Sequence, residues 1–245
     1  MRRYVFGGVR TVFAVALAVS LGAFQSALGQ EASLKGALLR NQVTVEAALY
    51  ETTDGGRVFV LDRTREPPLL QFRGAYEILA LSRVPAARGD EILRLDTGDD
   101  LVRVTALGAV TLYPRERPMG VPATRLGPAD RFPALASASL DMQAALGALR
   151  ARAGSAALDT PTDQAAGDML LADAVRLTAE GLRASAEAPQ GGERVAQLSQ
   201  IRFVYGAGAG VRIEGEALVV QIDPSAGYAG RPSSLKVADA ILNGG

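Results

Sequence analysis

The stretch from residue 57 to residue 113 constrains the fold most, because short apolar runs alternate there with turn residues. Prolines and glycines such as Gly74, Gly98 and Gly108 mark the turns between the runs. The runs are typical of antiparallel strands that have one buried face. Six strands are predicted, over residues 57–62, 69–72, 76–81, 91–95, 101–105 and 109–113. The stretch therefore predicts a β-meander.

The first 29 residues have the pattern of a secretory signal peptide. Arg2, Arg3 and Arg10 precede an uncharged, mostly apolar run, and Ala27-Leu28-Gly29 has the small-x-small form of a cleavage site. The run is shorter than the roughly 20 apolar residues that a membrane-spanning helix needs. We expect cleavage near Gly29, a periplasmic or secreted mature protein, and no stable membrane span after signal removal. Cysteine is absent, which argues against lipid attachment at the cleavage point.

Composition excludes many familiar kinds of site. The chain has no histidine, cysteine or tryptophan, which removes the usual zinc ligands, the Ser-His-Asp triad, the Cys-His dyad and haem ligation by His or Cys. Loss of the three signal-peptide arginines from a balanced 26 basic and 26 acidic residues leaves a net charge of −3. No basic cluster stands out, so nucleic acid is not an expected partner. No cofactor is expected.

Three further regions are predicted, one before the meander and two after it. A helix is expected over 31–50, so that 30–113 forms an N-terminal helix plus meander. Five prolines between Pro114 and Pro133 argue against a long helix or central strand and predict a crossing segment over 114–136. Residues 137–245 then form a helical pair, a hairpin and a terminal helix, either separately or in one domain with 30–113.

The C-terminal region has the clearest helix pattern. A helix is predicted over 139–153, and another begins at Thr160 with Pro161 in its first turn. The second helix has an apolar face that includes Leu171 and Leu182 and an opposite polar face that includes Asp173. Strands over 200–205 and 216–223 predict a β-hairpin, and a last helix over 233–242 has Ser233 as its cap. The fold class is therefore α+β.

Several phrases of the sequence resemble an uncharacterised family of exported Gram-negative proteins, defined as a domain of unknown function. They are Phe59-Val60-Leu61-Asp62-Arg63, Arg88-Gly89-Asp90, Leu101-Val102-Arg103-Val104-Thr105 with Gly108, Thr111-Leu112-Tyr113 and Ala229-Gly230-Arg231-Pro232-Ser233-Ser234. The resemblance covers nearly all of the mature chain. It implies export and brings no activity with it.

Three motifs suggest chemistry, and each also has a structural interpretation. Asp96, Asp99 and Asp100 surround Gly98 and could hold calcium through their oxygens, although the spacing departs from an EF-hand and also suits a hairpin turn. The glycine-rich run 206–210 resembles a phosphate loop, but a strand follows it where a helix is needed. Ser233-Ser234-Leu235-Lys236 has the Ser-x-x-Lys spacing of penicillin-recognising enzymes but lacks their Lys-Thr-Gly strand.

These observations favour a non-catalytic exported envelope protein that acts as a binding or interaction module. An envelope protein or glycan is the expected partner, and Phe59, Phe72, Tyr76 and Tyr113 could anchor the contact from the meander. The same aromatic residues would also suit an ordinary core. The alternative function is a carboxylate-dependent hydrolase acting on envelope glycan, for which two acidic residues must converge. The sequence does not single out such a pair.

Overall fold

The computed structural model describes residues 46–135, 141–161 and 169–244. These residues all belong to one unit of the chain, Val45–Gly245. The predicted signal peptide and most of the helix predicted over 31–50 lie outside them. The part of that helix prediction that can be compared is wrong, because Ala48–Thr52 is a strand.

A nine-stranded antiparallel sheet forms the first half of the described chain. In order across the sheet the strands are β4-β3-β2-β1-β9-β8-β7-β6-β5. Their bounds are β1 (Ala48–Thr52), β2 (Val58–Asp62), β3 (Leu69–Phe72), β4 (Leu79–Ala80), β5 (Ser82–Pro85), β6 (Glu91–Arg94), β7 (Asp100–Val104), β8 (Val110–Leu112) and β9 (Val121–Pro128). The α+β class and the antiparallel meander are thus confirmed.

One residue, Leu81, connects the two edges of this sheet. Strands β4 and β5 stand at opposite ends of the strand order, yet only Leu81 separates them in sequence. The single strand predicted over 76–81 is therefore wrong in its bounds. The segment 79–85 forms two strands instead, of which β4 pairs with β3 and β5 pairs with β6. The Leu81 N–H donates to the Pro68 carbonyl at 2.9 Å, and the Leu81 side chain is fully buried. The sheet consequently closes on itself through a bend at Leu81.

The proline-rich segment contributes a central strand, which corrects the prediction that it contains none. Strand β9 lies between β1 and β8 and pairs with both. Its prolines, Pro122 and Pro128, fall near its two ends, where a missing N–H interrupts the ladder least. The pairing between β1 and β9 is also irregular at one point, because its register shifts between Leu49 and Tyr50 of β1.

The second half of the described chain is a layer of helices on a four-stranded sheet. The helices are α1 (Met142–Ala153), α2 (Met169–Glu187), α3 (Gly191–Ala196) and α4 (Ser234–Asn243). The strands are β10 (Ala157–Asp159), β11 (Gln200–Tyr205), β12 (Gly210–Glu214) and β13 (Ala217–Ile222), in the order β10-β11-β13-β12.

The strands predicted over 200–205 and 216–223 do not form the predicted hairpin with each other, because they run in the same direction. Strands β11 and β13 are neighbours but run parallel, and the antiparallel partner of β13 is β12. The hairpin turn is at Gly215, whose φ of 62° suits glycine better than other residues. The segment predicted as a connection is therefore itself a strand.

The helix ends show local capping chemistry. Ser233 caps α4 as predicted, and its Oγ accepts from the Lys236 N–H at 3.0 Å. Asp141 caps α1 by accepting from the Gln143 N–H at 2.9 Å. The predicted start of α2 at Thr160 adjoins residues 162–168, which lie outside the described part of the chain, so only the helix from Met169 can be compared.

Two apolar cores hold these layers. One lies inside the closed sheet and includes Phe59, Leu93 and Leu112. The other lies between the helices and the second sheet, and includes Leu171 and Leu182 as the helix pattern predicts. The second core also includes Leu69 of β3 and contacts Val60 of β2, Ala80 of β4 and Ile78, which immediately precedes β4. Because each large buried apolar side chain contributes about 1.5–3 kcal/mol, this shared core binds the helical layer to β2, β3 and β4.

Within the described ranges, no helix is both long enough and apolar enough to cross a bilayer.

Candidate functional site

A pocket of about 510 Å³ opens where the closed sheet meets the C-terminal layer. We call it the seam pocket, because the bend at Leu81 forms one of its walls. Two smaller pockets, of about 220 and 170 Å³, lie elsewhere on the described surface. The residues that line the seam pocket are Glu66, Pro67, Ala80, Leu81, Ser82, Arg83, Asp96, Ala209, Ala229, Arg231 and Ser233.

Arg83 on β5 organises the charges on one side of the pocket. Its Nε donates to Glu66 at 2.7 Å, and its Nη1 donates to Glu91 at 2.7 Å. The Arg63 side chain donates to the other oxygen of Glu91 at 2.9 Å. Burial alone would raise the pKa of Glu91, but the hydrogen bond from Arg83 and the charge of Arg63 lower it below its ordinary value. Glu91 is therefore held ionised between two guanidinium groups.

Arg231 forms the floor of the pocket and is almost fully buried. Its Nε donates to Asp173 Oδ2 at 2.5 Å, and its two Nη atoms donate to the carbonyls of Tyr228 at 3.1 Å and Ile78 at 2.8 Å. The Tyr76 hydroxyl donates to Asp173 Oδ1 at 2.9 Å. Burial, assisted by the negative charge of Asp173, raises the pKa of Tyr76 well above its ordinary value. This network joins the first sheet to α2 and to the segment before α4.

The burial of Asp173 corrects the sequence prediction, which placed this residue on the polar face of its helix. Only 3% of Asp173 is exposed, and Arg231, 58 residues later, neutralises its charge. The helical pattern gave no sign of this pairing. The one available signal was Arg231 itself, which stands in the last of the phrases that carry the family resemblance.

Two carboxylates of the first sheet region bind the N-terminus of α4. Asp96 accepts from the Ser233 N–H at 2.7 Å and from its hydroxyl at 2.6 Å. Glu77 accepts from the Ser234 N–H at 2.9 Å and also from its hydroxyl. Carboxylates suit this position because the N-terminus of a helix carries free N–H groups and partial positive charge. Burial nonetheless raises the pKa of Glu77, because the hydrogen bonds from Ser234 offset only part of the desolvation.

The comparison with known protein families gives a match over residues 30–241, which include every residue that lines the seam pocket. The matching family is described as a domain of unknown function, DUF4908. This chain belongs to the DUF4908 family. No curated protein and no solved structure matches it significantly. For this DUF4908 protein, the unknown-domain part of the predicted resemblance is therefore confirmed.

The three calcium candidates of the DUF4908 chain each have a separate partner. Asp96 binds Ser233, Asp99 accepts from the Thr97 hydroxyl at 3.0 Å, and Asp100 accepts from Arg94 at 2.7 Å. Among the described residues, no group of three or more acidic side chains is arranged to hold a metal ion.

The four aromatic candidates lie in different environments. Phe59 is fully buried and meets Phe72 edge to face, with 6.0 Å between the ring centroids, so it serves the core and presents no surface to a partner. Phe72 and Tyr113 are half-buried. Tyr76 is 37% exposed, but the Arg176 guanidinium lies 3.3 Å above its ring and its hydroxyl binds Asp173. The structure does not bring the four together.

The remaining two motifs have structural partners as well. The glycine-rich loop joins β11 to β12 and opens no helix; the Gly208 N–H donates to Asp223 at 2.8 Å. In the Ser-x-x-Lys motif, the Ser233 hydroxyl donates to Asp96 and accepts from the Lys236 N–H. Its hydrogen-bonding capacity is used by the helix cap.

Proposed function

We propose that this DUF4908 protein is a non-catalytic envelope protein that is exported and binds a component of the envelope in its seam pocket. The observation that carries the proposal is the pocket itself, whose volume of about 510 Å³ lies within the range of small-molecule sites. Its walls include the apolar side chains of Pro67, Ala80 and Ala209. Such a pocket accommodates an apolar ligand or an apolar group that protrudes from an envelope protein or glycan.

The chemistry of the pocket favours binding over hydrolysis. A general acid or base must reach the proton that it transfers, and glycoside hydrolysis needs two carboxyl groups about 5–10 Å apart. Both oxygens of Asp96 accept hydrogen bonds from Ser233, and Arg231 donates to Asp173 and to two backbone carbonyls. Glu66 is strongly exposed and pairs with Arg83, whereas Asp96, although also exposed, is bound through both oxygens at the N-terminus of α4. These partners favour a structural role for Asp96 over a place in a glycosidase pair with Glu66.

The envelope assignment rests on the first 29 residues, which have the basic start, apolar run and small-residue cleavage pattern of a signal peptide. The ligand is therefore expected among molecules that the periplasm or the medium supplies.

The proposal is tested by filling the pocket. Ala209 is exposed and lines the pocket, so Ala209→Trp should occupy the ligand volume at little cost in folding. Ala207→Trp, in the same exposed loop but outside the lining, is the matched control. Wild-type protein recovered from the envelope fraction should carry a bound component in native mass spectrometry, Ala207→Trp should retain it, and Ala209→Trp should lose it.

The hydrolase alternative is tested with the same material. Purified wild-type protein is incubated with envelope glycan, and the products are separated by chromatography. No cleavage is expected. Cleavage that disappears in Glu66→Gln or Asp96→Asn would overturn the non-catalytic proposal and make the seam pocket an active site.

A further inference from the structure

Arg63, Glu66, Arg83 and Glu91 form a cluster of charged side chains beside the seam pocket, and Glu66 is its loosely held member. Its side chain is 68% exposed, and its contact in the described structure is the pair with Arg83. Exposed pairs of this kind contribute about 0–1 kcal/mol, because water and mobile ions compete for both charges. Arg83 is less exposed, at 28%, and is also held by Glu91 and by the Arg63 carbonyl. A competing anion would therefore displace Glu66 from Arg83 while Arg83 stays in place.

The charges that remain after such displacement favour an anion. Arg63 and Arg83 both pair with the single carboxylate of Glu91, so the three groups together carry one positive charge when Glu66 turns away. Asp96, the other lining carboxylate, is bound at the N-terminus of α4, where the helix dipole and two donors from Ser233 offset its charge. Arg231 is neutralised by Asp173. Arg83 is thus the lining cation whose usual partner is easily replaced.

The rest of the lining determines what the anion is attached to. Pro67, Ala80, Ala209 and Ala229 present small apolar groups to the same cavity. A guanidinium at the edge of an apolar cavity matches a molecule that has a carboxylate at one end and an apolar body, because the Arg83 Nε–H, which Glu66 occupies, can donate a charge-assisted hydrogen bond to that carboxylate.

We infer that the seam pocket takes an amphiphile with an apolar chain and one carboxylate head group, which binds Arg83 in place of Glu66. The inference rests on the proposed binding function and names the chemical class of the ligand. Glu66 then acts as an internal substitute for the ligand head group and covers Arg83 while the pocket is empty.

Calorimetric titration of the mature chain with octanoate and with 1-octanol tests the inference, since these probes share an apolar chain and differ in the head group. Wild-type protein should bind octanoate at least fivefold more tightly than octanol. Glu66→Gln should bind octanoate three- to tenfold more tightly than wild type, because the competing carboxylate is gone, with octanol unchanged. Arg83→Gln should lose the preference for octanoate while keeping its affinity for octanol.

Two matched controls separate a local effect from a general change in charge. Glu116→Gln removes an exposed carboxylate that pairs with Arg57, and Arg103→Gln removes a strand guanidinium that pairs with Asp90; none of these residues lines the seam pocket. Both controls should bind octanoate within twofold of wild type. A shift in Glu116→Gln equal to that in Glu66→Gln would overturn the inference.

The outcomes also distinguish this inference from the proposed function. Equal binding of octanoate and octanol in wild type and in Arg83→Gln would overturn the carboxylate assignment and leave a pocket for neutral apolar ligands. Failure of both probes to bind wild type would overturn the amphiphile assignment. The Ala209→Trp and Ala207→Trp comparison with material from the envelope then decides separately whether the pocket binds anything.

Discussion

The ion pair between Asp173 and Arg231 is the most consequential side-chain contact in the described structure. The two side chains are 4% and 2% exposed, and their partners come from the first sheet region, α2 and the segment before α4. Charges removed from water are costly unless each is paired and hydrogen-bonded. The pair therefore restricts how the helical layer sits against the closed sheet, and it places Arg231 in the seam pocket.

Asp173→Asn should reduce the free energy of unfolding by about 3–5 kcal/mol, because it leaves Arg231 buried without an opposite charge. Urea unfolding at pH 7 measures the loss. Glu180→Gln on the same helix is the control: Glu180 pairs with Arg183 on the exposed surface, and its replacement should cost less than about 0.5 kcal/mol. Equal small losses in both variants would contradict a structural role for the buried pair.

Glu77 should make stability depend on pH in an unusual direction for a carboxylate. Its pKa is raised by burial, so the folded state holds the proton more tightly than the unfolded state. The contribution of Glu77 is therefore fully present at low pH and is lost as the pH rises from about 4.3, the ordinary glutamate pKa, through the raised folded-state pKa. Glu77→Gln should accordingly gain stability relative to wild type between pH 4 and pH 7, measured by urea unfolding.

Asp223→Asn provides a control of opposite sign for Glu77→Gln. Hydrogen bonds from the Ser225 side chain and the Gly208 N–H lower the pKa of Asp223. Its contribution is present above the ordinary aspartate pKa and is lost as the pH falls through the folded-state pKa. Asp223→Asn should therefore lose stability relative to wild type at pH 7 and approach it under acidic conditions. A common trend in both variants would show that the effect does not come from these two groups.

The helices α2 and α4 pack closely against each other at Gly181. A Cβ added at Gly181 would lie 2.6 Å from the Val237 Cβ and 2.9 Å from the Ser234 carbonyl oxygen. The absence of a side chain therefore permits the packing that holds the N-terminus of α4 near Asp96 and Glu77. Gly147 in α1 is exposed and has no neighbour within 4 Å of the same position, so it has no such role.

Gly181→Ala and Gly147→Ala should have opposite effects on stability. Alanine is favoured over glycine in a helix interior by about 1 kcal/mol, which should stabilise α1 in Gly147→Ala. In Gly181→Ala the clash with α4 should outweigh that gain, since overpacking costs about 1–3 kcal/mol. Thermal unfolding followed by circular dichroism should give a raised Tm for the first and a lowered Tm for the second. A raised Tm in both would show that α4 moves without cost.

At the scale of the whole described structure, the protein is organised around a nine-stranded sheet without a long free edge. The short strands β4 and β5 are the only edges in the described nine-stranded sheet, and Leu81 joins them. Closure protects the sheet from pairing with other chains. The seam pocket, at the bend, is consequently a more suitable binding surface than the meander aromatics that the sequence suggested as anchors.

The proposed export predicts where the mature chain begins. If the first 29 residues are a signal peptide, the protein recovered from the periplasm or medium should begin near Gln30, because cleavage follows Ala27-Leu28-Gly29. Intact-mass measurement and N-terminal sequencing check this. Replacement of Ala27 by Arg, which disrupts the small-residue pattern, should leave an unprocessed form. A chain that retains Met1 in the wild type would contradict the prediction.

Local patterns accounted for a large part of the fold. Five of the six strands predicted for the meander follow from a period of two, the apolar face of α2 from a period of 3.6, and the Ser233 cap from the chemistry of helix ends, all of which act over a few residues. Patterns also indicated the α+β class. The same local signals misassigned Ala48–Thr52 and 121–128, because short strands without clear alternation depend on their neighbours for pairing.

Contacts between distant residues determined the remainder, including the seam pocket. Asp173 is buried because Arg231 reaches it from 58 residues away, and Ser233 meets Asp96 across 137 residues. The parallel arrangement of β11 and β13 and the closure at Leu81 likewise depend on which strands meet after collapse. Sequence periodicity carries no information about such partners. A charged residue on a helix has the same local pattern whether water solvates it or a buried guanidinium neutralises it.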